Sequence, residues 1–157
     1  MILQIAPIIS RDGVSDALDL ARRCFDSLDE ATYEGRRSFN AATELSAVMG
    51  QIFAGELKLW GCADDDLRGM CALKNGEHIM LLFVDARYRR RGLGEAMVEA
   101  MRTEAVTHGF TRLTANATPS SLPFYERLGF VPSAEEQIRD GISFVPVELD
   151  LGDDAEW

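Results

Sequence analysis

No apolar run among the 157 residues approaches the roughly 20 that a membrane-spanning helix requires. Histidine is scarce: His78 and His108 stand far apart, with no cysteine beside either, so no metal centre is expected. The three cysteines, Cys24, Cys62 and Cys71, are odd in number and sit in apolar contexts. That excludes a disulfide framework and reads as buried thiols in a reducing compartment. Basic charge is short as well. Sixteen Lys and Arg face 26 Asp and Glu for a net charge of −10, which argues against nucleic acid as a partner. The stretch Met1-Ile2-Leu3-Gln4-Ile5-Ala6-Pro7 lacks a basic region ahead of an apolar one, so no signal peptide and a cytoplasmic location are expected. Repeats, low-complexity segments and linkers are missing too. With 46% hydrophobic and 27% charged residues, the chain reads as one domain over 1–151 with an acidic tail at 152–157.

Against this acidic background, basic charge is concentrated at one place. Arg87, Arg89, Arg90 and Arg91 fall within five residues and are followed by Gly92 and Gly94. The apolar run Ile79-Met80-Leu81-Leu82-Phe83-Val84 before them reads as a buried strand. Leu93, Ala96, Met97, Ala100, Met101, Ala105 and His108 after them recur at helical spacing. A helix N-terminus offers unpaired N–H groups and the positive end of its dipole. Glycines let an anion approach that backbone, and arginines add charge-assisted hydrogen bonds. The segment therefore reads as a site for a phosphate-bearing ligand. It is not a P-loop, since no Lys-Ser or Lys-Thr occurs. Nor is it a dinucleotide fingerprint, since Met97 stands where a third Gly or Ala belongs.

What it fits is R-x-x-G-x-G, read as Arg89-Arg90-Arg91-Gly92-Leu93-Gly94. This resembles the pyrophosphate motif of the GNAT acetyltransferase superfamily. A second stretch, Asn116 followed by Phe124-Tyr125-Glu126-Arg127-Leu128-Gly129-Phe130, resembles that superfamily's other signature, at the interval a helix plus a strand requires. The His-Ile start and Leu-Phe-Val-Asp end of the central strand resemble small bacterial members.

Read in order, Ile2–Ile8 is a first strand, closed by a turn at Ser10-Arg11-Asp12-Gly13. A helix capped by Ser15 should run to Ser27, and residues 29–39 read as a loop or short helical turn. A second helix is expected over Asn40–Ala54. Strands follow at Leu57–Ala63, Leu67–Leu73 and His78–Val84, with Asn75-Gly76 a type I′ hairpin signal. After the helix that ends at His108-Gly109, Thr111–Ala117 should be a strand parallel to His78–Val84, because strand–helix–strand crossovers are right-handed. A short helix follows, capped by Ser120 or Ser121 with Pro123 in its first turn, and strands close the chain from Phe130 and over Ile142–Leu149. The expected fold class is α+β, in three layers. It is the GNAT arrangement of a mixed, mostly antiparallel sheet with a central parallel pair, flanked by helices.

The resemblance implies an N-acetyltransferase that uses acetyl-CoA, with direct attack by a primary amine in a ternary complex. An amine is protonated near neutral pH, so the chemistry needs a base, an oxyanion donor and an acid for the leaving thiolate. Tyr125, in the matching Phe-Tyr-Glu, is the implied acid. His78, eleven residues before Arg89, is the candidate base, with a water chain as the alternative. Main-chain groups at Leu82, Phe83 and Val84 should pair with pantetheine, like an added strand. Arg89, Arg91, Gly92, Leu93 and Gly94 should hold the pyrophosphate. Arg90 should reach a ribose phosphate or face water, and Asn116 should bond the cofactor or a water. The acceptor is expected to be a small-molecule or peptide amine, compatible with a cationic one, contacted by residues 29–39, the second helix or residues 133–140. Tyr33, Glu34 and Arg37 are loop candidates, with Asp29, Glu30, Glu44, Glu135 and Glu136 the acidic ones. A homodimer is common in the superfamily. The competing class is a non-catalytic acyl-CoA sensor or interaction module on the same fold.

Overall fold

The computed structural model describes residues 3–152; the expectation of an acidic tail falls mainly outside them. The elements are β1 (Gln4–Ile8), α1 (Arg11–Asp26), α2 (Tyr33–Ala42), α3 (Leu45–Phe53), β2 (Leu57–Ala63), β3 (Leu67–Lys74) and β4 (His78–Val84). Then come α4 (Leu93–Thr107), β5 (Arg112–Ala117), α5 (Leu122–Arg127), β6 (Val131–Pro132), β7 (Gln137–Arg139) and β8 (Ile142–Asp150). The sheet runs β1-β2-β3-β4-β5-β8-β6, with β7 paired to β8. Every pair is antiparallel except β4–β5. Among the described residues no helix is long and apolar enough to cross a membrane.

Strand alternation sorts the core into two layers. Leu57 and Leu59 of β2 and Met70 and Ala72 of β3 pack with α1, α2 and α3, around Leu18, Phe25 and Phe39. Trp60, Cys62, Cys71 and Leu73 turn the other way, onto Met97, Met101 and Ala105 of α4. Leu18 is fully buried, so Leu18→Ala costs about 2–5 kcal/mol. The Asn75-Gly76 turn takes the left-handed backbone its type demands, at φ 52° and 82°.

Three local expectations are corrected. The first helix starts at Arg11, not after Ser15, because Ser10 is the cap: its Oγ accepts from Gly13 N at 3.0 Å. Residues 29–39, expected as a loop or short helical turn, supply the first two turns of the ten-residue α2, capped by Thr32, whose Oγ1 accepts from Gly35 N at 2.9 Å. The helix expected over 40–54 is broken at Thr43. That residue is fully buried, its hydroxyl donates to Phe39 O at 2.7 Å, and its own carbonyl accepts from Arg22.

One irregularity shapes the site. Leu73 pairs with Ile79 but Ala72 pairs with Leu81, leaving Met80 as an extra residue in β4. Ile79 belongs to the α4 layer, whereas Met80 and Leu81 both belong to the α1 layer, as a β-bulge requires. The bulge falls where β4 parts from β5.

Candidate active site

β4 and β5 pair at only two positions, His78↔Thr114 and Ile79↔Ala115. Beyond them β5 continues along β8, with Asn116 opposite Pro146, while β4 stays with β3 through Val84. The sheet splits at the bulge, and the β5-facing backbone of Met80–Val84 is left without a strand partner. The split opens into a cleft of ≈ 930 Å³ lined by Ile79–Val84 and by both helical layers.

At one end of the cleft lies the arginine loop. Arg90 has φ 64° and Gly92 φ 79°, both left-handed, and Gly92 caps α4 with no side-chain hydrogen bond to its first N–H groups. Those donors are therefore available to an anion. The two glycines serve different ends. A Cβ on Gly92 would meet nothing within 4 Å, so its need is conformational; one on Gly94 would lie 3.1 Å from two Phe124 ring atoms, so its need is space.

The arginines divide likewise. Arg89 and Arg90 line the cleft, and Arg89 Nε donates to Val84 O at 3.3 Å. Arg87 is paired with Asp85 at 3.3 Å, and Arg91 lies 4.8 Å over the Tyr88 ring, outside the lining. Cys24 Sγ also donates to Val84 O, at 3.5 Å. Burial pushes the Cys24 thiol up, against the opposing charge and hydrogen bond of Arg89.

Leu82, Phe83, Val84, Leu93, Asn116 and Tyr125 all line the same cleft. Tyr125 is 6% exposed and is held edge-on between Phe124 and Phe130, with centroids 5.3 and 5.1 Å away. Burial, and next the nearby Cys71, pushes its phenol well above the usual value.

The structure does not bring His78 to this cleft. It sits where β4 and β5 are still joined, and its Nδ1 lies 2.7 Å from Thr114 Oγ1. Burial and then the charge of Lys74 lower its pKa. The physical reason for the mismatch is the bulge: counting back from Arg89 assumes a regular strand, and Met80 resets the face.

The opposite end of the cleft is built by the α1–α2 segment and the β7–β8 hairpin. Ser27, Asp29, Ser38, Phe39, Arg139, Asp140, Ile142 and Phe144 line it. The hairpin turns at Asp140-Gly141, with φ 53° and 78°. It is tied to α2: Thr32 Oγ1 donates to Gly141 O and Ser38 Oγ to Asp140 O, both at 2.8 Å. Glu30 reaches across to the β5–α5 loop, accepting from Ser120 N at 3.3 Å and Oγ at 2.5 Å. Burial works to raise the Glu30 carboxyl, but hydrogen bonds led by the Ser120 hydroxyl outweigh it and hold the pKa low.

The sequence model of the acetyltransferase (GNAT) domain family matches residues 27–151, which include the arginine loop, the split strand pair and Tyr125. The chain belongs to the GNAT acetyltransferase family.

The chain is also 37% identical over 62 residues to a glucosamine 6-phosphate N-acetyltransferase of Trypanosoma brucei brucei; the match covers 40% of this chain and 42% of that protein. Among solved structures, a GCN5-related N-acetyltransferase from Rhodopseudomonas palustris superposes with a TM-score of 0.79, at 18% identity, over 96% of this chain and 98% of the other. The PaiA N-acetyltransferase of Thermoplasma acidophilum, solved in complex with coenzyme A, gives 0.77 at 14% identity, over 96% and 99%. The likenesses to the two solved structures are of fold.

The residues that line this cleft fit a coenzyme A. An uncapped helix start flanked by Arg89 and Arg90 suits a pyrophosphate, and an unpaired strand edge suits a chain of amides. Asp29, Ser38, Arg139 and Asp140 of the cleft fall within the ranges 29–39 and 133–140 expected to meet the acceptor, although of these only Asp29 was singled out; Phe144 lies outside both ranges. Asp140-Gly141 was the available signal, a hairpin dipeptide that places β7 beside β8. The loop candidates Tyr33, Glu34 and Arg37 do not line the cleft, and neither do Glu44, Glu135 or Glu136.

Proposed function

We propose that this acetyltransferase transfers acetyl from acetyl-CoA to the primary amine of a small-molecule acceptor, with both substrates held in the one cleft. The observation that carries the reading is that the uncapped start of α4, the unpaired edge of β4 and the Tyr125 side chain all border that same cavity.

Acetyl-CoA, when bound, supplies an activated thioester. The protein supplies the rest. Arg89, Arg90 and the N–H groups at the start of α4 hold the pyrophosphate. The edge of β4 takes the pantetheine amides; because Val84 O already accepts from Arg89 and Cys24, Val84 N–H is the group left to offer. Asn116 closes the gap at the end of β5. Tyr125 is the proton donor for the departing sulfur. Its raised pKa keeps the phenol protonated at neutral pH, and the same dry surroundings make a thiolate more basic, so the proton still has somewhere to go.

No base is offered by β4: the side chains it contributes to the cleft, Ile79 through Val84, are all apolar. The ammonium of the acceptor loses its proton to water at the end lined by Asp29, Ser38 and Asp140. The name of the trypanosomal relative agrees with a small-molecule amine.

The test is thiol release from acetyl-CoA over a panel of primary amines. Turnover of at least one amine, reduced about 10²–10⁴-fold by Tyr125→Phe, is the expected result. Tight acetyl-CoA binding with no turnover, the same for wild type and Tyr125→Phe, would favour a sensor.

A further inference from the structure

The acceptor end of the cleft holds a cation that the transfer chemistry does not use. Arg139 ends β7 and lies over the Phe144 ring, 5.2 Å from its centroid. Both residues line the cleft together with Ser38 and Asp140. Among the described residues no carboxylate pairs with Arg139, nor with the other cleft arginines Arg89, Arg90 and Arg127, whereas Arg22, Arg36, Lys58, Arg68, Arg87, Arg102 and Arg112 do have such partners. A guanidinium engages an aromatic face without using its N–H groups as hydrogen-bond donors, which leaves them for contact with a carboxylate or phosphate. Arg127 also lines the cleft, but it follows Phe124 by one helical turn, and Phe124 is the ring against Gly94. Arg127 therefore belongs to the cofactor end.

The same end is also bridged. The hydrogen bonds from Thr32 and Ser38 seat the β7–β8 turn on α2. The fit is close enough that a Cβ on Gly35 would come within 2.9 Å of Gly141 O, and one on Gly141 within 2.7 Å of Gly35 N. Glu30 and Ser120 join the preceding segment to the far side. An extended polypeptide cannot lie across this end without breaking those ties. Asp29 and Asp140 line it beside Arg139, so the wall offers carboxylates for an ammonium and a guanidinium for an anion.

We infer that the acceptor is a small primary amine carrying a carboxylate or a phosphate, and that Arg139 is the residue that selects for that anionic group. This rests on the N-acetyltransferase reading above.

The experiment uses matched pairs of amines: phosphoethanolamine against ethanolamine, β-alanine against propylamine, and glucosamine 6-phosphate against glucosamine. An N-terminally blocked lysine peptide is the bulky control. Wild type should prefer the anionic member of at least one pair, with kcat/KM about 10-fold higher or more, and should not acetylate the peptide. Arg139→Ala and Arg139→Gln should cut kcat/KM for that anionic amine about 10–100-fold, chiefly through KM, the range for a hydrogen bond to a charged group. The discrimination within the pair should then fall toward one. Acetyl-CoA affinity, read by calorimetry, and the melting temperature report that both variants are folded and loaded. Whether the carboxylate or the phosphate pair shows the effect tells the two anions apart. Turnover of neutral amines or of the peptide with no preference for an anion, or discrimination that survives both variants, overturns the inference and leaves N-acetyl transfer standing. No thiol release with any amine, despite tight acetyl-CoA binding, overturns the N-acetyltransferase reading itself and the inference with it.

Discussion

Gly92 permits a quantitative test of how the cradle is built. Its backbone is left-handed at φ 79°, and an added Cβ would touch nothing within 4 Å. Gly92→Ala therefore introduces backbone strain and no clash, worth about 1–2 kcal/mol for an L-residue in that region. In a chain of this size each kcal/mol moves the melting temperature by roughly 2–4 °C, so the variant should melt about 2–8 °C lower. Urea unfolding should show a lower midpoint at unchanged slope. Gly92→Asn, which tolerates the left-handed region, should lose less. Gly94→Ala is the contrasting control. Alanine favours a helix over glycine by about 1 kcal/mol, but its Cβ sits 3.1 Å from Phe124 Cε1 and Cζ. Stability should stay within about 1 kcal/mol of wild type, while acetyl-CoA binding weakens because the methyl group intrudes on the approach to the helix start. If Gly92→Ala melts with wild type and binds acetyl-CoA equally well, the left-handed cap is not what makes the cradle.

Further outcomes follow from the same geometry. His78→Gln should leave kcat within about threefold and the pH–rate profile unmoved, since His78 lies outside the cleft; a loss of about 10²-fold would restore it as the general base. Burial pushes the Cys71 thiol up to about 12 from an ordinary 9.0. The folded protein thus holds that proton more tightly than the unfolded chain does. Its contribution to stability is full below pH 9.0 and is lost as the pH climbs toward about 12. Urea midpoints taken across that window should fall less steeply in Cys71→Ala than in wild type, and equal slopes would refute the assignment. Thr43→Val keeps the shape but removes the hydroxyl that donates to Phe39 O, and should cost about 1–3 kcal/mol in chemical denaturation.

The strong patterns were legible. β2 and β4 fall where their apolar runs put them, α4 begins at the residue after Gly92, and β5 lies parallel to β4. Two glycines misled in the same way. Gly13 and Gly35 look like helix breakers but sit in the first turns of α1 and α2, where a neighbour approaches closely. A Cβ on Gly13 would lie 2.9 Å from Ile8 Cγ2, and one on Gly35 would lie 2.9 Å from Gly141 O. That requirement is tertiary, so no local pattern reveals it. The bulge at Met80 is hidden for a related reason. The run from Ile79 to Val84 is apolar throughout, and a strand buried on both faces carries no alternation from which a skipped residue could be read. Arg139 lies in the 133–140 segment expected to meet the acceptor, but nothing local singles it out, because its setting comes from Phe144 and from the pairing of β7 with β8.

The most direct test of the central claim is acetyl-CoA binding by calorimetry with wild type, Arg89→Ala and Gly92→Glu. Tight binding by wild type, about 10-fold or more weaker in Arg89→Ala as a charge-assisted contact is lost, and abolished in Gly92→Glu, is the predicted result. No binding by wild type, or equal binding by all three, would mean that the arginine loop is a basic surface turn and that the cleft does not hold the cofactor.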